Sequence, residues 1–190
     1  METPFAVLSE IARIFEEQGI AYVVVGSFAS SMRGLYRATA DLDIVADIKP
    51  DQIKSLVAAL QETFYVDERA VRQAVEQHRS FNAIHFDSIF KVDIFIPPTD
   101  DLGQQQLARR QPEKIAPDVE RRIYIATAED TILAKLRWYR AGGEISSTQW
   151  NDVLGIIGTQ GEQLDVEFLR ECADRIGVRE LLERALRETQ

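Results

Sequence analysis

Residues 22–46, YVVVGSFASSMRGLYRATADLDIVA, contain the local signals around which the rest of the chain is organised. The first four residues predict a short hydrophobic strand, which is followed by a Gly26-Ser27 turn, a brief helix of small residues and a basic loop. A second strand begins with an Asp-Leu-Asp sequence. Because side chains alternate between the two faces of a strand, Asp41 and Asp43 lie on the same face, while the apolar residues between and after them point to the packed side.

This pattern predicts a site for a metal ion and a phosphate group. Asp41 and Asp43 repel each other unless a cation lies near both, and Mg2+ typically binds one or two carboxylates together with phosphate oxygens and water. Gly26 allows the backbone to approach a ligand closely, and the helix after Ser27 would point free N–H groups at a phosphate. The alternative interpretation is a solvated strand end with an incidental acidic pair.

A set of residues in this stretch carries a resemblance to a known superfamily: Gly26, Ser27, Gly34, Arg37, Thr39, Asp41 and Asp43. In this order, between two apolar strands, they resemble the nucleotidyltransferase superfamily. The spacer of thirteen residues between Ser27 and Asp41, and the run GLYRATAD over 34–41, are similar to the AbiEii-type branch of that superfamily. Members of that branch are toxins in bacterial toxin–antitoxin pairs.

The resemblance implies a fold and a reaction. The expected fold is α/β, a mixed sheet flanked by helices, with a helical lobe at the C-terminal end. The expected reaction is the Mg2+-dependent transfer of a nucleoside monophosphate from an NTP to a hydroxyl acceptor, with a tRNA 3′ end as one candidate acceptor. A cognate antitoxin protein is the partner that the resemblance implies.

A third acid lies in the sequence KVDIFI, residues 91–96, which predicts a strand. Asp93 stands among apolar residues there, and a buried carboxylate needs a cation, a hydrogen-bond network or a metal. Members of the superfamily carry a third acid on a strand beside the first two, and Asp93 is the position that fits. The resemblance implies that it completes the metal site with Asp41 and Asp43 or takes the acceptor proton. The alternative is a strand-end acid paired with Lys91.

The resemblance extends to two further residues. Lys135 lies in a predicted helix, in Leu133-Ala134-Lys135-Leu136, and Asp152 lies in the next helix. In the AbiEii-type branch such a lysine helps to bind the nucleotide phosphates, and an acid from the next helix lies in the same pocket. Lys135 and Asp152 are therefore nucleotide-binding candidates with Gly26, Ser27 and Arg37, and Lys135 is also a catalytic candidate. The alternatives are a lysine that covers apolar surface and a surface acid.

Periodicity and turn residues place the remaining elements. Helices are expected at 4–18, from Pro50, at a polar surface segment 69–78, from 128, at 147–158, at 165–175 and at 178–188. Strands are expected at 64–66, 81–86, 91–96 and 122–126, with a polar connector containing one short helix at 97–117. We expect a catalytic lobe over 1–100, a connector with an additional strand over 101–126 and a helical lobe over 127–190.

Composition limits the partners. With 31 acidic and 22 basic residues the net charge is −9, which argues against gripping a long nucleic acid and favours an acceptor that is small or locally bound. The basic residues that are present cluster at 109–122 and 135–140. No apolar run reaches the length of a membrane span, and a single cysteine forms no internal disulfide and no zinc cluster with the two histidines. A cytoplasmic location and no membrane partner are expected.

Two other functions use the same fold. One is a non-catalytic binding or antitoxin module, which a missing carboxylate would indicate, and all three carboxylates are present. The other is a nucleotidyltransferase that modifies a protein side chain. The sequence alone leaves the acceptor open.

Overall fold

A computed structural model describes residues 4–35, 39, 41–98, 102–114 and 121–189. The described chain contains strands and helices interspersed up to residue 125, followed by a run of helices. The strands are β1 (Ala21–Val25), β2 (Asp41–Asp47), β3 (Phe64–Tyr65), β4 (Ser80–His85), β5 (Lys91–Phe95), β6 (Gln111–Lys114) and β7 (Arg122–Ile125). The helices are α1 (Pro4–Glu17), α2 (Gly26–Arg33), α3 (Ile53–Leu60), α4 (Glu68–Gln77), α5 (Leu102–Arg109), α6 (Ala128–Ala141), α7 (Ser147–Gln160), α8 (Val166–Arg175) and α9 (Arg179–Glu188).

The chain divides into two compact units, each made of two separate segments. The first, here called the sheet unit, comprises Met1–Val25 and Thr39–Ala126. The second, the helical unit, comprises Gly26–Ala38 and Thr127–Gln190. Every described strand lies in the sheet unit, and α2 together with α6 to α9 makes up the helical unit.

The sheet unit contains one mixed sheet of seven strands in the order β3-β4-β5-β2-β1-β7-β6. Its central pairs are β5–β2, which is parallel, and β2–β1, which is antiparallel. The predicted fold class, a mixed sheet flanked by helices with helices at the C-terminal end, is confirmed. On one face of the sheet α1 packs against β1, where the Phe15 and Tyr22 rings lie 5.6 Å apart. On the other face α5 approaches Val45, and a Cβ at Gly103 would lie 3.4 Å from Val45 Cγ1.

The helical unit is held together by α6, α7 and α2. Helix α6 begins where it was expected, and the residue before it, Thr127, caps it: the Thr127 hydroxyl accepts the backbone N–H of Asp130. The end of α2 lies so close to α7 that a Cβ at Gly34 would be 2.9 Å from the backbone nitrogen of Ile156. Glycine is therefore needed at this position for the two segments to approach. No helix among the described residues combines the length and hydropathy needed to cross a membrane.

Two features differ from the sequence prediction. The polar helix expected at the surface over 69–78 exists as α4, but it buries Val71, Ala74 and Val75, so one side of it packs into the core. The connector also contains a strand that was not predicted, β6, which pairs antiparallel with β7 at the edge of the sheet. Its sequence QPEK is polar and contains a proline, which a strand tolerates at a sheet edge because one side of an edge strand makes no ladder bonds.

Candidate functional site

Three carboxylates share one face of two neighbouring strands. In β2 the residues between and after the acids, Leu42 and Ile44, are buried, whereas Asp41 and Asp43 are partly exposed, as strand alternation predicts. In the parallel register of β2 and β5, Asp43 lies directly opposite Asp93. We call this surface, formed by Asp41, Asp43 and Asp93, the acidic face. The register thus brings the three acids together from two strands that are far apart in sequence.

Asp93 has two partners from the sheet. The Lys91 ammonium nitrogen lies 2.6 Å from Asp93 Oδ2, so the ion pair that the sequence raised as an alternative is present. Asn82, the register partner of Asp93 on β4, donates its side-chain N–H to the other carboxylate oxygen. These two donors hold the Asp93 carboxylate in its orientation on the acidic face.

A short local contact fixes the first acid of β2. The Thr39 hydroxyl donates to the backbone carbonyl of Asp41 at 2.9 Å, and it lies 3.2 Å from Asp41 Oδ1. Thr39 therefore orients both the backbone and the side chain of Asp41 at the start of the strand.

All three acids of the acidic face affect the pKa of Lys91. The pKa of Lys91 is raised first by its hydrogen bond to Asp93, an effect that burial opposes, and then by the negative charges of Asp93, Asp41 and Asp43. Because an opposite charge stabilises the charged form of a group, this direction indicates that the ammonium lies within the field of the whole acidic face.

The predicted phosphate-binding turn begins the helical unit. Gly26 has a φ of +64°, a left-handed conformation that a residue with a Cβ adopts only with strain. Helix α2 starts there, and the Ser30 hydroxyl donates to the Ser27 carbonyl at 3.0 Å. The conformation at Gly26 explains why glycine stands between the first strand and this helix.

Lys135 and Asp152 form a buried ion pair within the helical unit. The Lys135 ammonium on α6 lies 2.7 Å from Asp152 Oδ2 on α7, and the two side chains are only 5% and 8% exposed. The Ser30 hydroxyl, from α2, donates to the same carboxylate oxygen at 3.3 Å. The resemblance pointed to Lys135 and Asp152 together, and the structure brings them into direct contact.

The predicted site residues thus fall into two groups. Asp41, Asp43 and Asp93 lie in the sheet unit, and the helical unit holds Gly26, Ser27, Lys135 and Asp152. Arg37, the remaining nucleotide-binding candidate, lies outside the described residues.

Two further groups contact the predicted acid Asp93, and sequence reasoning missed one of them. Lys91 was considered only as an alternative partner for Asp93, although its spacing of two residues from that acid places both on one strand face. Asn82 gave no signal, because its position beside Asp93 depends on the register of β4 against β5.

Oxygen ligands for a metal are present, but as a pair rather than a complete cage. Among the described residues, no group of three or more His, Cys, Asp or Glu side chains is arranged to hold a metal ion. Asp41 and Asp43 nevertheless supply hard oxygen donors on one face, which suits Mg2+ because this ion takes one or two carboxylates and completes its shell with phosphate and water.

A separate cavity of about 680 Å3 lies in the sheet unit. It is lined by Glu16, Pro112, Arg121, Arg122 and Tyr124. The Tyr124 ring contacts Tyr22, whose register partner on β2 is Ala46 rather than either acid. The cavity thus lies towards the end of the β1–β2 pair opposite the one that carries Asp43.

Comparison with known proteins identifies the fold. No protein-family model matches the chain, and no curated protein matches it either. Among solved structures, an antigenic nucleotidyltransferase-like protein from Paracoccidioides brasiliensis is similar at 16% identity and a TM-score of 0.56, over 96% of this chain and 91% of that one. This chain has the nucleotidyltransferase fold.

Two antibiotic-modifying enzymes share the nucleotidyltransferase fold with this chain. The enzyme ANT(2'')-Ia, in complex with adenylyl-2''-tobramycin, is 13% identical with a TM-score of 0.59, over 94% of this chain and 99% of that one. The lincosamide antibiotic adenylyltransferase LnuA, bound to lincomycin, is 16% identical with a TM-score of 0.53, over 81% and 96%. At these identities the likeness establishes the fold alone.

Proposed function

We propose that this protein is a Mg2+-dependent nucleotidyltransferase that moves a nucleoside monophosphate from an NTP to a hydroxyl acceptor. The observation that supports this most strongly is the acidic face, on which Asp43 and Asp93 are register partners and Asp41 lies two residues along the same strand. In a chain with the nucleotidyltransferase fold, an acidic face of this kind is best explained by a cation and a phosphate ligand.

In this proposal Asp41 and Asp43 hold the metal. Bound Mg2+ would neutralise charge on the phosphates and make the α-phosphorus a better electrophile. In the reaction the acceptor oxygen forms a bond to the α-phosphorus. The bond from that phosphorus to the oxygen that bridges the α- and β-phosphates breaks, and pyrophosphate leaves. Asp93 takes the proton of the acceptor hydroxyl or completes the metal site, and Asn82 and Lys91 orient it for either role.

The phosphates are assigned to residues of the helical unit. Val25, the register partner of Asp43, is followed in the chain by Gly26, so the phosphate-binding turn is joined directly to the strand beside the acids. Gly26 and Ser27 would offer backbone N–H groups at the start of α2. Lys135 would neutralise charge at the transferred group, together with Arg37. An ammonium has three N–H donors, so the bond to Asp152 leaves Lys135 the capacity to contact a phosphate.

The acceptor proposed is a small hydroxyl-bearing molecule. Both basic clusters of the sequence are partly committed to internal ion pairs: Arg121 pairs with Glu16, and Arg140 lies 2.9 Å from Glu144. Among the described residues, these pairs reduce the positive charge that the two clusters offer to a long nucleic acid. Two proteins of the same fold were solved with small-molecule antibiotics or their adenylylated product, which supports the same class of acceptor.

Three finer assignments depend on the sequence resemblance alone. They are the tRNA 3′ end as acceptor, the toxin role and the cognate antitoxin. Transfer to a protein hydroxyl is an additional variant of the same reaction. Transfer to tRNA, to a protein and to a small molecule would each give a different labelled product. An experiment with labelled NTPs therefore distinguishes the three acceptors.

Calorimetry of NTP binding with and without Mg2+ tests the metal site. Asp41→Asn with Asp43→Asn should abolish the magnesium-dependent part of the affinity, because the two carboxylates provide the metal ligands. Asp47→Asn is the matched control, since Asp47 lies on the same strand but pairs with Lys49 away from the acidic face. Equal magnesium-dependent affinity in the parent and the double variant would place the site elsewhere.

Labelled NTPs test the reaction and its acceptor. The protein is incubated with α-labelled NTPs and with a pool of small hydroxylated compounds, total tRNA or lysate proteins, and both pyrophosphate release and label transfer are measured. We expect transfer to a small molecule. Labelling of tRNA with a steep salt dependence would overturn the acceptor class while leaving the reaction intact, whereas binding without release of pyrophosphate on any acceptor would favour the non-catalytic module.

A further inference from the structure

A lysine lies among the three carboxylates of the proposed metal site. In the register of β2 and β5, Lys91 is opposite Asp41, and Asp93, two residues along, is opposite Asp43. The four side chains therefore form a block of two rows on one sheet face, with three negative charges and one positive charge. The Lys91 ammonium contacts Asp93 at 2.6 Å, and this distance defines a direct ion pair.

The arrangement has an electrostatic consequence for a metal-free protein. Three carboxylates on one face repel one another, and a nearby ammonium offsets part of that repulsion. A divalent cation binding to Asp41 and Asp43 would bring two positive charges next to the Lys91 ammonium. The metal ion and the Lys91 ammonium therefore compete for interaction with the same three carboxylates.

We propose that Lys91 is the resident cation of the acidic face: it occupies the site in the metal-free protein and keeps the affinity for free divalent metal low until the metal arrives with nucleotide phosphates. This inference rests on the proposed function, because it concerns the same metal site. It gives Lys91 a regulatory role in addition to the orientation of Asp93.

The exposure of the pair allows the lysine to leave. The Lys91 side chain is 45% exposed, so the ammonium can rotate into water while its alkyl chain stays on the sheet. Nucleotide phosphates that arrive with the metal give the ammonium a new anionic partner. Free metal offers no such partner, so it must displace or tolerate the ammonium without compensation.

The test is a titration of the full-length protein with Mn2+ in the absence of nucleotide, followed by electron paramagnetic resonance of the free ion. Lys91→Met should bind Mn2+ about tenfold more tightly than the parent, because one unit charge near the site is removed. Lys91→Arg should bind like the parent, since it retains the charge. Lys49→Met is the matched control: Lys49 also pairs with an acid two residues away in sequence, at 2.7 Å, but it lies after the end of β2 and outside the acidic face.

A second readout is the melting temperature without nucleotide. Loss of the resident cation should lower the melting temperature of Lys91→Met in EDTA, and Mn2+ should restore it by a larger increment than in the parent. A purely structural ion pair would lower the melting temperature without enlarging the response to metal. Lys91→Gln, which keeps a hydrogen-bond donor without the charge, provides a second variant should Lys91→Met fold poorly.

The outcomes separate this inference from the proposed function. Unchanged Mn2+ affinity in Lys91→Met and Lys91→Gln, with loss of magnesium-dependent NTP binding in the Asp41→Asn and Asp43→Asn variant, would overturn the role of Lys91 and leave the metal site intact. If Lys91→Met binds Mn2+ in the absence of nucleotide and the parent does not, the result supports the inference. Absence of Mn2+ binding in all variants, with NTP affinity independent of Asp41 and Asp43, would overturn both.

Discussion

Two of the lysine–aspartate pairs among the described residues have nearly equal length but lie in different surroundings. Lys91 and Asp93 lie 2.6 Å apart on the sheet, with side chains 45% and 16% exposed. Lys135 and Asp152 lie 2.7 Å apart between two helices, with side chains 5% and 8% exposed. Both pairs join an ammonium to a carboxylate at nearly the same distance. They differ in burial and in the charges that surround them.

Because of this difference in burial, the two pairs are suited to different tasks. Separating a buried pair leaves a charge without solvent or partner, so Lys135 and Asp152 are bound to each other by desolvation. An ion pair whose lysine is 45% exposed contributes little net stability, because water competes for the ammonium. The Lys91 ammonium can therefore exchange partners at small cost, which suits the role proposed for it beside the metal site.

The largest expected effect is on the buried pair. Asp152→Asn should lower the free energy of unfolding by about 3–5 kcal/mol, because it leaves the Lys135 ammonium buried without its counter-charge. Urea denaturation monitored by circular dichroism measures this value. The matched change in the exposed pair, Lys91→Met, should cost less than about 1 kcal/mol. Equal losses in the two variants would remove the distinction between the pairs.

A smaller effect is expected where α2 approaches α7 in the unit that contains the buried pair. Gly34→Ala should cost about 1–3 kcal/mol, because the new Cβ would lie 2.9 Å from the Ile156 nitrogen and backbone must move. Gly158→Ala is the control, since Gly158 lies within α7 with nothing within 4 Å of an added Cβ. That variant should gain about 0.5–1 kcal/mol.

The Gly158→Ala control shows whether the close approach of α2 to α7 limits the size of residue 34. Thermal unfolding of both variants, compared with the parent, should shift in opposite directions. If Gly34→Ala is as stable as Gly158→Ala, the approach of α2 to α7 does not constrain the helical unit, and the buried pair alone would hold these segments.

The smallest effect on stability is expected at Asp93. Asp93→Asn removes the ion pair with Lys91 but also relieves repulsion from Asp43, so stability should change by less than about 1 kcal/mol and the melting temperature should stay equal or rise. Activity should fall at least about 100-fold if Asp93 takes the acceptor proton. Steady-state turnover and thermal unfolding on the same preparation measure both quantities. Retained turnover with a large loss of stability would make Asp93 a structural residue.

Much of the fold was predictable because its signals are local. The hydrophobic run before Gly26, the capping sequence at Thr127 and the glycine that ends α1 each act within a few residues, and the corresponding elements formed where expected. Strand β6 was missed because QPEK shows no alternation, and its pairing with β7 depends on the rest of the sheet. The core side of α4 had a signal, the spacing of Val71, Ala74 and Val75, which its polar composition obscured.

The candidate site was predictable in composition but not in arrangement. Strand alternation places Asp41 and Asp43 on one face from sequence alone. The register that places Asp93 opposite Asp43 joins strands with no local link, and its value depends on sheet topology. The contact of Lys135 with Asp152 likewise depends on the packing of α6 against α7; the resemblance implied a shared pocket for the two residues but not their ion pair.

The division of the chain into units has a consequence for its biosynthesis. The chain passes between the two units at three points, because Gly26–Ala38 interrupts the sheet unit and Thr127–Gln190 follows it. On a ribosome that adds about 5–20 residues per second, α2 emerges seconds before the helices against which it packs. The sheet unit can complete its strands once Ala126 has emerged, whereas α2 must wait for α6 and α7. No single cut in the chain isolates either unit, so a fragment that starts at Thr127 would lack the helix that supplies Ser30 to the buried pair.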